Sequence, residues 1–228
     1  KEERFMRKTK IICTIGPACE NEEILKKMCL EGMNVARLNF SHGSHEEHLK
    51  KVQLVKKVRE ELNLPIAIML DTKGPEYRIK TFENKKITLA DGDKFTFTTD
   101  DVVGNESIVS VNYKHLTEEL AVGNTITVNN GLVIFEVESI DGPNVNCRVV
   151  TGGVLSDKKS MNFPNKVMKH DYLSEHDKTD LLFGIENDVD FVAASFVSTK
   201  KDAQDLREFL DENGGKDIEI IAKIENRA

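Results

Sequence analysis

This chain of 228 residues lacks any run long and apolar enough to span a bilayer. Its start, KEERFMRKTK, has no apolar segment of the kind a secretory signal requires. A basic excess is also missing. Lys and Arg number 32 against 39 Asp and Glu, for a formal net charge of −7. That argues against a nucleic-acid surface and leaves room only for a local basic pocket that takes a small anion. The four cysteines, Cys13, Cys19, Cys29 and Cys147, form no C-x-x-C pair. They read as free, buried thiols of a cytoplasmic protein rather than as a zinc or disulfide framework. SHGSHEEH brings His42, His45 and His48 near glutamates. Its H-E-E-H spaces the histidines i, i+3, not the i, i+4 of a zinc helix, so it reads as a capped, solvated first helical turn. Gly152-Gly153 precedes Lys158-Lys159 without a G-x-x-x-x-G-K-[ST] loop, and reads as a hairpin turn with exposed lysines.

What is present is ordinary for a globular protein: 39% hydrophobic and 31% charged residues, enough chain for one large domain or two modest ones. Met6 reads as the native start, with residues 1–5 as an added leader. KIICTI ends at Gly16-Pro17. Asn21 then caps a helix that stops at Gly32. A strand to Asn39 follows, then a Ser44…Glu47 capping box and a helical stripe of Leu49, Val52, Val55, Val58 and Leu62. PIAIMLD, 65–71, is the apolar run of a strand covered on both faces. This β-α-β-α-β order gives way after Pro75 to short β-rich runs (KKITL, KFTFTT, SIVSV, NTITVNN, LVIFEVESI, NVNCRVV) separated by Gly and Asn turns. They predict a small antiparallel barrel or sandwich inserted in an α/β domain. The first pattern returns with helices capped by Ser174 and Thr199 and with strands DVDFVAASFV and IEIIAKIEN.

Three strand ends carry chemistry. Arg37, Asn39 and Ser41 stand at i, i+2 and i+4, so an extended chain points them to one face. A guanidinium suits phosphate or carboxylate, and amide and hydroxyl oxygens suit a hard cation; a satisfied structural arginine is the competing account. Lys223 and Glu225 share a face near the end of the last strand, as a phosphoryl-stabilising cation beside a metal ligand or as an internal ion pair. Asp71, with Thr72, ends a third strand, as a cation ligand or as a turn residue. In parallel α/β folds ligands bind at this end of the strands. Taken together, the inventory fits metal-assisted phosphoryl transfer.

TKIICTIGPA (9–18), GMNVARLNFSHG (32–43), MLDTKGPE (69–76), DFVAASFV (190–197) and IAKIEN (221–226) stand in the order of the pyruvate kinase pattern, and the chain resembles that family over essentially its whole length. The resemblance implies an α/β fold: a partial TIM-type (β/α)8 barrel with about five strands present and an inserted all-β barrel domain. Its boundaries would be 1–76 and 165–228 for the barrel and 77–164 for the insert. The implied activity moves the phosphoryl group of phosphoenolpyruvate to ADP, giving pyruvate and ATP in glycolysis. The implied cofactors are magnesium and potassium, with no nucleic-acid or membrane partner and a homotetramer for the full-length form. By position, Arg37 would bind the phosphoryl substrate and Lys223 would stabilise charge on the group in transfer. Asn39, Ser41, Asp71 and Thr72 would hold potassium, and Glu225 magnesium. Asn39, Phe40, Ser41, His42, Arg78 and Lys159 would contact the nucleotide.

The chain departs from the family's usual pattern at Asn129-Asn130-Gly131, where acids commonly precede the glycine, and at Tyr77 and Ser160. A complete barrel takes about 250 residues, so the expectation is a fragment that carries the phosphoryl half of the site and turns over poorly. Open sheet edges would favour self-association. The alternatives are a non-catalytic nucleotide- or partner-binding module, or another phosphoenolpyruvate-using barrel enzyme.

Overall fold

A computed structural model describes residues 8–166 and 171–225. Met6, read as the start, and Asn226 of the last motif lie outside the described residues. The chain divides into two compact units: residues 1–75 with 172–223, and residues 76–171 with 224–228.

The first unit begins with β1 (Ile12–Thr14), α1 (Glu22–Glu31), β2 (Val35–Asn39), α2 (His45–Leu62) and β3 (Ala67–Asp71). Local chemistry sets these bounds. The Asn21 side chain accepts from the N–H groups of Glu23 and Ile24, and Gly32 ends α1 in the left-handed region. Ser44 and Glu47 form the reciprocal capping box of α2, and Asn63 closes it, again left-handed.

Residues 76–171 contain β4 (Tyr77–Arg78), β5 (Lys86–Leu89), β6 (Lys94–Thr98), β7 (Ile108–Ser110), α3 (Leu116–Glu119), β8 (Thr125–Val128), β9 (Val133–Asp141), β10 (Asn144–Thr151), β11 (Gly153–Ser156) and β12 (Ser160–Asn162). Seven strands form one sheet in the order β4-β12-β8-β9-β10-β6-β7, and β11 pairs with β5. Strand alternation buries Phe95, Phe97 and Phe135, whose rings meet at centroid distances of 4.9 to 5.6 Å. Gly152-Gly153 does not close a hairpin: β11 leaves β10 to pair antiparallel with β5, and Gly152 N–H donates to Asp91.

The first unit resumes with α4 (Glu175–Glu186), β13 (Phe191–Ala194), α5 (Lys200–Glu212) and β14 (Glu219–Ala222), its helices boxed by Ser174 and Thr199. Its sheet is parallel throughout, in the order β1-β2-β3-β13-β14. One sheet face (Ala36, Leu38, Ile68, Leu70, Val192, Ala194) packs with Leu25, Val52, Val55, Leu181 and Leu206 of the helices. The other carries a smaller cluster of Val35, Met69 and Ala193. Alternation puts Arg37 and Asn39 on the second face with Val35. No helix of the described residues is long and apolar enough to cross a membrane.

Candidate active site

Each strand of the parallel sheet delivers a polar side chain at its carboxyl end. Thr14 ends β1, Arg37 and Asn39 lie at the end of β2, and Asp71 ends β3. Ser195 follows β13 by one residue and Lys223 follows β14 by one. Register brings Thr14 opposite Arg37, Asn39 opposite Asp71, and Asp71 opposite Ala193.

Asp71 is the centre. Its side chain is 3% exposed. Arg37 donates to Oδ2 from Nε at 2.6 Å and approaches it with Nη2 at 2.5 Å, a forked contact. Lys223 Nζ donates to Oδ1 at 2.8 Å. Arg37 Nη1 also donates to Thr14 Oγ1 at 2.6 Å, which fixes the plane of the guanidinium. Arg37 and Lys223 thus grip opposite oxygens of one buried carboxylate. Their side chains stay 30% and 28% exposed, so each keeps an open side. Two cationic side chains converge on one carboxylate and both keep exposed surface, an arrangement suited to an anion.

Ser195 was not singled out from sequence, although a hydroxyl closing the apolar run DFVAAS is the same signal that marked Asp71. It is 2% exposed and every polar group it has is used. Its N–H donates to Thr72 Oγ1 at 3.1 Å, and its carbonyl accepts from Tyr172 Oη at 2.8 Å. Its hydroxyl donates to Thr72 O at 2.5 Å, with Asp71 Oδ1 at 3.2 Å, and accepts from Lys223 Nζ at 2.8 Å. Gly74 packs against it at φ +66; a Cβ there would lie 2.8 Å from Ser195 O, so only glycine fits. Phe196 follows at φ +58, an uncommon conformation for a bulky residue.

The other predicted residues divide. Asn39 Oδ1 accepts from Ser41 N–H at 3.1 Å, Ser41 is half-buried and His42 exposed. Thr72 is buried with its hydroxyl oxygen on Ser195. Asn39 and Asp71 are register partners, but the Asn39 and Thr72 oxygens accept backbone N–H groups and both Asp71 oxygens hold cationic side chains. The Phe40 ring is 4% exposed and packs as core, so only its backbone is left for a ligand. Glu225 is exposed three residues after β14. In the second unit, Arg78 donates to Lys158 O at 2.5 Å and pairs with Glu76, and Lys159 is half-buried with its carbonyl accepting from Ile79 N–H. Among the described residues no three His, Cys, Asp or Glu side chains are grouped to share a metal ion.

The SHGSHEEH turn is capped as expected, with His42, Ser44, Glu46 and Glu47 exposed and His45 partly so; His48 alone departs from the solvated reading. His48 is 2% exposed, and His45 Nε2 lies 2.6 Å from Asp180 Oδ1 on α4, with Asp180 itself 1% exposed. The sequence hid this because the partner, Asp180, is 135 residues away. Cys29 and Cys147 are buried as expected, whereas Cys13 and Cys19 are only half-buried; all four are free. Burial pushes the Cys147 thiol up to about 12.

A family model described as the barrel domain of pyruvate kinase matches residues 6–228. The pyruvate kinase of Clostridium perfringens (strain 13) is 46% identical over 223 residues, 97% of this chain and 47% of its own length. That of Bacillus licheniformis is 45% identical over 224 residues, 97% of this chain and 38% of its own. That of Geobacillus stearothermophilus is 42% identical over 222 residues, 96% of this chain and 38% of its own. The chain therefore spans less than half the length of these relatives.

Proposed function

The chain belongs to the pyruvate kinase family, and on that premise we propose that it serves phosphoryl transfer from phosphoenolpyruvate to ADP. The observation that carries the reading is the Asp71 carboxylate holding Arg37 and Lys223 on opposite oxygens. Arg37 forks onto the phosphoryl oxygens. Lys223 faces the negative charge that spreads over the phosphoryl group as its bond to the enolate oxygen loosens. Asp71, Thr14 and Ser195 hold the two cations in place, so little reorganisation is needed in the transition state. Glu225 would hold magnesium, and Asn39, Ser41, Asp71 and Thr72 potassium; bound there, the cations would offset phosphate charge. Asn39 to His42 are the proposed nucleotide residues of the first unit, and Arg78 and Lys159 those of the second. We read the first unit as part of a TIM-type barrel and residues 76–171 as an inserted β-barrel domain. The proposed setting is glycolysis in the cytoplasm, with a homotetramer for the full-length form.

A lactate-dehydrogenase-coupled assay of the purified chain tests this. NADH oxidation that needs both phosphoenolpyruvate and ADP, and that disappears in Lys223→Met, supports the reading. An undiminished rate in Lys223→Met contradicts it. Heat on adding ADP or phosphoenolpyruvate without any pyruvate formed would instead mark a binding module.

A further inference from the structure

The turn from β2 into α2 carries Asn39, Ser41 and His42. Inside it, Ser41 N–H donates to Asn39 Oδ1 at 3.1 Å and His42 N–H to Asn39 O at 3.3 Å. At the far end Ser44 and Glu47 close the capping box. Between these anchors lies the His42 carbonyl, and His48, one turn into α2, reaches it with Nε2 at 2.9 Å. A carbonyl can only accept, so Nε2 bears the proton. The His48 ring is 2% exposed and lies flat on Phe40, centroids 4.0 Å apart at 11°. Phe40 is in turn held against Phe183 of α4 at 5.6 Å. Gly43 passes the imidazole edge at φ +88; a Cβ there would lie 3.3 Å from His48 Nε2 and 3.0 Å from Glu47 Oε2. The backbone of the turn is thus pressed against one buried ring.

We propose that His48, neutral and protonated at Nε2, is a positioning residue for this turn: its N–H on the His42 carbonyl and its stack on Phe40 fix how Asn39, Ser41 and His42 face a cation and a nucleotide. The inference rests on the proposed reading of that turn as a cation and nucleotide site. The charged and titratable groups around the ring are His45 and Lys51 on α2, Asp180 on α4, and Glu47 beside Gly43. Burial, the largest influence, holds the His48 pKa below its ordinary value despite the His42 carbonyl and Asp180, which favour the charged form. Nδ1 has no hydrogen-bond partner among the described residues, as a neutral ring with its proton on Nε2 allows.

The test uses the full chain, labelled with 15N-histidine, and the variants His48→Gln, which keeps an N–H donor, and His48→Leu, which keeps only bulk. At pH 7 the His48 nitrogens should show the neutral tautomer protonated at Nε2. Hydrogen exchange at the Ser41 to Ser44 amides should quicken in His48→Leu and return toward wild type in His48→Gln. Calorimetry with ADP, magnesium and potassium should show Kd about tenfold weaker in His48→Leu, the worth of one hydrogen bond, and largely restored in His48→Gln. An imidazolium or an Nδ1–H tautomer in the wild type overturns the proposal. So does identical turn exchange in the two variants. If the wild type gives no heat with ADP, the nucleotide reading fails, while tautomer and exchange still judge the clamp. If His48→Leu does not fold, the wild-type tautomer and the exchange of His48→Gln decide.

Discussion

Asp71→Asn is the perturbation that bears most directly on the charge centre. The side chain keeps its shape but loses its charge, and one acceptor becomes an NH2 that faces either the Arg37 guanidinium or the Lys223 ammonium, both donors. Removing one partner of a fully buried pair costs about 3–5 kcal/mol. Here the two cations keep 30% and 28% of their side-chain surface, so water recovers part of the loss. The expected destabilisation is about 2–3 kcal/mol. Urea unfolding reports it. The chain has no Trp, so circular dichroism near the helix band is the probe. The long helices α1, α2, α4 and α5 all lie in the first unit, so that signal follows the sheet that carries Asp71. If the cost arises from the lost carboxylate, adding Lys223→Met to Asp71→Asn should bring little further loss, since the Asp71 contact of Lys223 is already gone. A loss below about 0.5 kcal/mol, the size of an ordinary surface change, would refute the reasoning. Substantial further destabilisation on adding Lys223→Met would refute it as well.

Three other outcomes follow from the same geometry. Gly74→Ala should cost about 2 kcal/mol or more, because a Cβ at φ +66 would lie 2.8 Å from Ser195 O; the urea midpoint measures it. His48 is protonated near pH 6.5 in the unfolded chain and at lower pH in the folded one. Its contribution is therefore complete above about pH 6.5 and declines as pH falls below that, by at most about 1.4 kcal/mol per pH unit, until the folded pKa is reached. His48→Gln should flatten that limb in unfolding curves taken between about pH 7.5 and 5.5. Cys147, 1% exposed with its thiol pushed up to about 12, should resist a thiol reagent in the native chain and react only on unfolding, as peptide mass mapping would show.

Much of this architecture is legible because its signals are local. Asn21, Ser44, Ser174 and Thr199 cap the helices expected of them, since a capping box needs only neighbouring residues. The strand ends are legible for the same reason: period-two alternation sends Arg37 and Asn39 to one face, and the parallel register then brings Asn39 beside Asp71. Long-range partners are the part that is hidden. Nothing near Asp71 in sequence announces that Lys223, 152 residues on, takes its second oxygen, or that Ser195 sits between them. The histidine stretch misleads for the opposite reason. Its polar composition suggests solvent, and most of it is exposed, yet His48 is buried on Phe40 and the partly exposed His45 reaches the buried Asp180. The short helix α3 and strand β4 carry too few residues for any periodicity to mark them.

The central claim is that Arg37 and Lys223, gripping one carboxylate, form a single phosphoryl site. Calorimetric titration of phosphoenolpyruvate with magnesium and potassium into the wild type, Arg37→Gln, Lys223→Met and the double variant measures it. The account predicts that each single variant weakens binding more than tenfold, about 1.4 kcal/mol, and that the double variant loses less than the sum. Wild-type and single-variant chains that bind equally, or a wild type that takes up no phosphoenolpyruvate at all, would contradict it.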